Sequence, residues 1–286
     1  MVTTVSVSQC RMPVFQRTIR EMGSMISEDL FRGPFSYLFL LLLRRNRLSK
    51  LRLQRVIKVV MLPKGLHVVV PQHDYQSLAG SIHEIYVEKE YEALPEYLPQ
   101  RSYRVLDVGA FMGLYTLKTS LLVGDEGSVI AVEPVPRTFQ LLVSNILINK
   151  LKNVIPLEAA LANFNGKAVL YIPDTTLVAS LYKVHVTLHT TRMEVTETRA
   201  ITLTELLTGL HINHIDLAKI DTEGAELSVL QGGVEVLRRG IIERLIVEVH
   251  RTVVDLLFLK ENSFRIERCV KKVKKPANIV YARLTK

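Results

Sequence analysis

Cysteine is scarce: Cys10 and Cys269 are the only two in 286 residues. That excludes a disulfide-dense scaffold and any metal site built from several cysteines. One bridge between the pair stays open, but so little cysteine fits a reducing, cytoplasmic compartment better. Long hydrophobic runs are missing too. The longest, Phe35 to Leu43 (FSYLFLLLL), is closed by Arg44-Arg45-Asn46-Arg47. As a helix it would cover about 14 Å of a ~30 Å hydrocarbon core, which excludes a span by this segment. It also lies behind Glu28 and Asp29, too far in for a cleaved signal peptide. Internal repeats and low-complexity tracts are absent. At 48% hydrophobic and 23% charged, the composition excludes a disordered chain. The length allows one large domain plus an appendage.

The net charge of +9 is unevenly spread. Residues 1–60 carry eleven Lys/Arg against three Asp/Glu, and 260–286 carry nine against two. The stretch between them holds seventeen against twenty-three, so basic ends flank a mildly acidic middle. Such ends suit nucleic acid, an anionic membrane surface or a phosphorylated substrate, or are plain solvated faces. In the first of them Leu48, Leu51, Ile57 and Val60 alternate with Arg47, Lys50, Arg52, Arg55 and Lys58, an imperfect basic amphipathic pattern. Residues 1–62 are therefore expected to form a basic helical segment that ends before Pro63. Its apolar run is expected to pack on the main domain, with a place at a membrane interface as the alternative. The localisation this implies is cytoplasmic, with peripheral membrane attachment under that alternative.

Residues 63–286 read as the main domain. GLHVVVPQHDY and SIHEIYVEKEYE look like short lead-in strands. From Tyr103 strand and helix signals alternate. YRVLDVG, GSVIAVEP, NVIPLEAAL, HIDLAKID and IERLIVEVH are strands, and LYTLKTSLLV, RTFQLLVSNILINK, TLTELLTGL and GAELSVLQGGVEVLRRG are helices. KAVLYI and EVTETRAI are further strands in a Thr-rich stretch, and FRIERCV with NIVYARL forms a terminal antiparallel pair. This alternation predicts a doubly wound α/β sheet, mainly parallel with right-handed crossovers. Its ligand would sit at the carboxyl ends of the strands, where the winding reverses.

Chemistry-bearing residues gather at those ends. In VLDVGAFMG, Asp107, Gly109 and Gly113 surround a turn in which glycine lets backbone approach a ligand. The spacing is not the Gly-x-Gly-x-x-Gly of a dinucleotide loop, and Asp107 stands where a pyrophosphate would be repelled. S-adenosylmethionine, with its amino-acid end and sulfonium cation, tolerates that acid. Ala110 and Phe111 complete the loop. Glu133, 20 residues beyond Gly113 and followed by Pro134, stands where an acid binds two ribose hydroxyls. In KIDTEGAE, Asp221, Glu223 and Glu226 follow an apolar strand, although a helix N-terminus alone favours such acids. Glu248 and His250 share one side of the next strand. Asp221, Glu223 and His250 are the catalytic candidates, with His250 or Asp221 as general base. Nothing in the spacing demands a metal, although Asp221 and Glu223 could hold a divalent ion.

VLDVGAFMGLYTL, VIAVEPVPRTFQLLVSNILIN, ALANFNGKAVLYI, VASL, TLTELL, HIDLAKIDTEGAELSVLQGG and LIVEVH together resemble the FkbM family of methyltransferases, in order, from about Ile82 to His250. The resemblance implies a class I methyltransferase fold with a terminal antiparallel strand, S-adenosyl-L-methionine as cofactor, and O-methylation of hydroxyls on natural products, sugars or polysaccharides. An Asn commonly follows the family's Gly-Ala, where this chain has Phe111, and the Asp of its TLDEL segment is Thr204 here. Residues 1–60 lie outside the resemblance. The expected partner is a hydroxyl-bearing small molecule or glycan. The competing readings are an RNA methyltransferase gripping phosphates with its basic ends, and a non-catalytic binding protein on the same fold. Against the first, there is no Asn-Pro-Pro-aromatic tetrad for exocyclic amines. Against the second stands the joint presence of Glu133, Asp221, Glu223 and His250.

Overall fold

Residues 57–71, 74–173, 179–188, 190, 192–250, 252–272 and 277–285 are described by a computed structural model. Cys10, the apolar run Phe35–Leu43 and the basic residues Arg44 to Arg55 lie outside the described residues, and so does the helical segment expected there. The β-branched run before Pro63 does not continue a helix. It forms β1 (Ile57–Met61), antiparallel to β2 (His67–Pro71). The lead-in strand expected over 81–92 is also corrected. Leu78, Ile82 and Ile85 recur at helical spacing, and the segment forms α1 (Tyr75–Ile82), prolonged by a π-helical turn, His83–Glu88.

The alternating core then follows the sequence. It runs β3 (Arg104–Val108), α2 (Leu114–Val123), β4 (Ser128–Val132), α3 (Pro136–Ile148), β5 (Val154–Leu157), β6 (Ala160–Leu161) and β7 (Gly166–Pro173). A short helix not foreseen from sequence, α4 (Lys183–Thr187), leads to β8 (Met193–Ile201). Next come α5 (Leu203–Gly209), β9 (Leu217–Ile220), α6 (Glu226–Gly232) and α7 (Val234–Arg238). These last two divide what reads as one helix. The chain closes with β10 (Arg244–Val249), a second unforeseen helix α8 (Thr252–Glu261), β11 (Phe264–Lys271) and β12 (Asn278–Leu284).

Seven strands form one sheet in the order β11-β12-β10-β9-β3-β4-β5. The last five are parallel to one another, and β12 runs antiparallel to both of its neighbours. Alternate side chains feed two cores. Leu106, Val108, Ile130, Val132, Ile220 and Val247 pack against α5, α6 and α7, while Val105, Val129, Leu217 and Ile246 face Tyr115 of α2 and Leu142 of α3. A smaller sheet, β6-β8-β7, lies beside it.

The lead-in hairpin is fastened by two asparagines of α3. Asn145 Oδ1 accepts the Val69 N–H at 2.6 Å while its Nδ2 donates to the Met112 carbonyl at 2.8 Å. Asn149 grips both backbone groups of His67. Val60, Leu62, Val68 and Val70 thereby close over Met112, Leu114 and Leu117, next to the turn after β3. Among the described residues no helix is long and apolar enough to cross a membrane.

Candidate active site

The register of the central strands assembles the site. Val108 of β3 lies beside Val132 of β4 and Ile220 of β9, and Val247 of β10 lies beside Ile220. One residue further, Gly109, Glu133 and Asp221 leave the carboxyl edge in a row, with Glu248 level with them but still inside β10. Between β3 and β9 the winding reverses, which is where an open α/β sheet leaves a crevice. The crevice is lined by Gly109, Ala110, Phe111, Glu133, Asp221 and Glu223, with Pro134 beside them.

Gly109 has φ +76°, and a Cβ there would lie 1.8 Å from the Asp221 carbonyl oxygen. Only glycine lets β3 and β9 close at this point. Phe111 also takes a left-handed φ of +53°, a conformation Asn adopts more readily than Phe. Its N–H donates to Glu133 Oε2 at 2.9 Å, and the Val135 N–H donates to Oε1 at 3.0 Å. Glu133 thus ties the loop after β3 to the end of β4. Burial pushes its carboxyl up to about 7, against the pull of those two N–H groups.

Two of the expected cofactor contacts stand elsewhere. Asp107 is fully buried beneath the loop and does not line the crevice, because its strand position points it at α2. It accepts a 2.6 Å hydrogen bond from Thr116 and pairs with Lys219 at 3.2 Å. Gly113 caps α2 away from the crevice, and a Cβ on it would meet Leu142 Cδ1 at 2.6 Å. Both residues shape the loop, and neither lines the crevice.

Lys219 was not singled out from sequence, yet it joins the site together. Its Nζ donates to the Gly109 carbonyl at 2.9 Å and lies 3.7 Å from Asp221 Oδ2. Burial would lower this ammonium, but Asp107 and Asp221 outweigh it and hold it above its ordinary value. The Tyr91 hydroxyl lies 2.9 Å from Asp221 Oδ2 and 3.1 Å from Glu248 Oε2. Burial, and then those two charges, keep the phenol neutral. Lys272 donates to both Glu248 oxygens at 2.8 and 2.9 Å and meets Glu90 at 2.6 Å. The signal for Lys219 was visible: it is the one charge in LAKI. Tyr91 gave none, and Lys272 was hidden in a basic tail that looked solvated.

Glu226 is 1% exposed and braces the turn after β9. Its Oε1 accepts from the Thr222 N–H, the Thr222 hydroxyl and the Gly224 N–H at 2.9–3.2 Å. The same oxygen lies 3.2 Å from His250 Nδ1. Glu223, at φ +52°, aims Oε2 at His185 Nε2 (3.0 Å) and His250 Nε2 (3.5 Å). Burial would lower His250, but Glu226 and Glu223 prevail and raise it to about 9. Of the general-base candidates, Asp221 lines the crevice, whereas His250 lies behind Glu223 and does not. His185, on α4, was missed because its helix was missed.

Residues 107–266 match the family described as the methyltransferase FkbM domain. Similar solved structures include a SAM dependent methyltransferase from Aquifex aeolicus, 19% identical over 72% of this chain and 93% of that one, with a TM-score of 0.43. Fibrillarin from Aeropyrum pernix, in complex with natively bound S-adenosyl-L-methionine, is 14% identical over 79% and 82%, with a TM-score of 0.44. Precorrin-6y C5,15-methyltransferase from Geobacter metallireducens GS-15 is 13% identical over 67% and 84%, with a TM-score of 0.42. No curated protein matches the sequence.

Proposed function

The chain belongs to the FkbM family of methyltransferases, which use S-adenosylmethionine, and from that premise we propose that it methylates a hydroxyl group on a small molecule, sugar or glycan. The residues present fit the cofactor. The left-handed loop Gly109–Phe111 exposes backbone to the crevice, and Glu133 offers a carboxylate at the end of β4. Gly109, Ala110 and Phe111 would hold the amino-acid end, while Glu133 and Pro134 would hold the ribose. The cofactor supplies an electrophilic methyl group on a sulfonium.

The observation that carries the hydroxyl reading is the Asp221 carboxylate on the crevice wall, one strand away from Gly109 and held by the Tyr91 hydroxyl. A carboxylate so placed accepts a hydrogen bond from an incoming hydroxyl, orients its oxygen and takes its proton as the oxygen is methylated. Tyr91 and Lys219 fix the rotamer of that carboxylate, and Glu223 adds a second acceptor beside it. Orientation and exclusion of water supply most of the rate for such a displacement.

The test is mass analysis of a cell extract incubated with the full chain and methyl-labelled S-adenosylmethionine. The expected result is label on the oxygen of a neutral hydroxyl compound, with turnover lowered about 10²-fold or more in Asp221→Asn of unchanged stability. Label on RNA would overturn the acceptor class. Undiminished turnover in Asp221→Asn would remove Asp221 from the chemistry.

A further inference from the structure

Behind the crevice wall, three side chains from three elements converge. His185 comes from α4, Glu223 from the turn after β9, and His250 from the end of β10. One ligand atom from each lies within 4.8 Å of the other two. The Glu223 oxygen is 3.0 Å from one imidazole nitrogen and 3.5 Å from the other. A tetrahedral ion with bonds of 2.0–2.1 Å needs ligand atoms about 3.3 Å apart, a value that the two distances to Glu223 bracket. All three groups are shielded, with side-chain exposures of 11%, 16% and 7%.

The surroundings also have the form that metal sites take. His250 Nδ1 is engaged by Glu226 Oε1, which leaves Nε2 aimed at Glu223. A carboxylate on the far nitrogen fixes the tautomer and ring plane of a metal-binding histidine. His185 is seated over Gly224, where a Cβ would come 3.2 Å from its Nδ1. Glu223 takes its left-handed backbone at this turn, directly before that glycine. We propose that His185, Glu223 and His250 bind one divalent transition-metal ion of borderline softness, Zn²⁺ being the representative probe.

A rival set shares His250 with Asp221 and Glu248. It is the poorer site, because Lys272 donates to both Glu248 oxygens and Tyr91 bonds to Asp221 and Glu248 together. Those donors would compete with an ion for the same lone pairs. Three protein ligands leave a fourth position, and Glu223 is the ligand that lines the crevice. An acceptor oxygen or water taking that position would be oriented beside Asp221. This last role rests on the hydroxyl reading above; the ion site itself does not.

The experiment needs no methyl acceptor, so its failure and that of the acceptor reading are separable. Full-length protein stripped with a chelator is titrated with Zn²⁺, and with Co²⁺ as a spectroscopic probe, for the wild type, His185→Ala and Glu223→Gln. The expected result is one equivalent bound, a visible absorption band of low-coordinate Co²⁺, and a rise in Tm on loading. Each variant should weaken binding by about 10²-fold while keeping a cooperative metal-free melt. Failure of the wild type to bind either ion would overturn the proposal, leaving the histidines as hydrogen-bond partners of Glu223 and Glu226. Equal binding by wild type and His185→Ala would overturn it too, by placing the ion elsewhere.

Discussion

Two glycines that look alike in VLDVGAFMG do different work. At Gly109 a methyl group would collide with the backbone oxygen of Asp221, which cannot move without parting β3 from β9. At Gly113 it would meet the far end of the Leu142 side chain, which can swing aside. Gly109→Ala should therefore cost several kcal/mol or prevent folding, whereas Gly113→Ala should cost about 1–2 kcal/mol, mostly from its left-handed backbone. Denaturant melts of the pair decide it, and equal losses would contradict the packing described. His250 makes a prediction of its own. In metal-free protein its folded pKa of about 9 stands above the ordinary 6.5, so its stabilisation is fully present below about pH 6.5. It is lost as pH rises through about 9. Unfolding free energy should fall by a few kcal/mol between pH 6 and 9.5, and His250→Gln should flatten much of that slope. A variant that keeps the full slope would show that the histidine is not the titrating group.

Among the elements, β9 carries the most unusual compromise. A lysine stands in its buried face, where a strand covered on both sides normally admits only apolar residues. Lys219 is kept there by Asp107, Asp221 and the Gly109 carbonyl, so it is a strut between β3, β9 and the loop. Lys219→Met should destabilise by about 3–5 kcal/mol, because it leaves two carboxylates facing each other without a cation. Adding Asp107→Asn should recover part of the loss, and equilibrium unfolding of the single and double variants measures the coupling. If the single variant matches the wild type, the lysine is not the strut described. The elements that sequence made legible were those whose period is uniform. YRVLDVG and LYTLKTSLLV announce a buried strand and a helix, and they appear as β3 and α2. SIHEIYVEKEYE was misread because its β-branched residues suggest a strand, while Leu78, Ile82 and Ile85 keep helical spacing and bury one side. Short α4 carries too few residues for any period to show.

At the scale of the molecule, the sheet order was implicit in the alternation of segments, and the row Gly109–Glu133–Asp221 followed from it. What sequence could not supply was contact at long range. Tyr91 reaches Asp221 across 130 positions, and Lys272 reaches Glu248 from a tail whose charge looked solvated. The same limit hid His185. The departure at Phe111 was visible in sequence, but its meaning, a left-handed residue whose N–H holds Glu133, was visible only in the fold. The central claim is that this row forms the cofactor site, and it is tested most directly by calorimetric titration of the full chain with S-adenosylmethionine at pH 8 and pH 6. Glu133 takes up a proton near pH 7, and a protonated carboxyl loses its charge-assisted bonds to ribose. The account predicts one equivalent bound, more weakly at pH 6 than at pH 8, with Glu133→Gln weaker by about 10-fold or more at pH 8 and insensitive to pH. No binding by the wild type at either pH, or an unchanged affinity in Glu133→Gln, would contradict it.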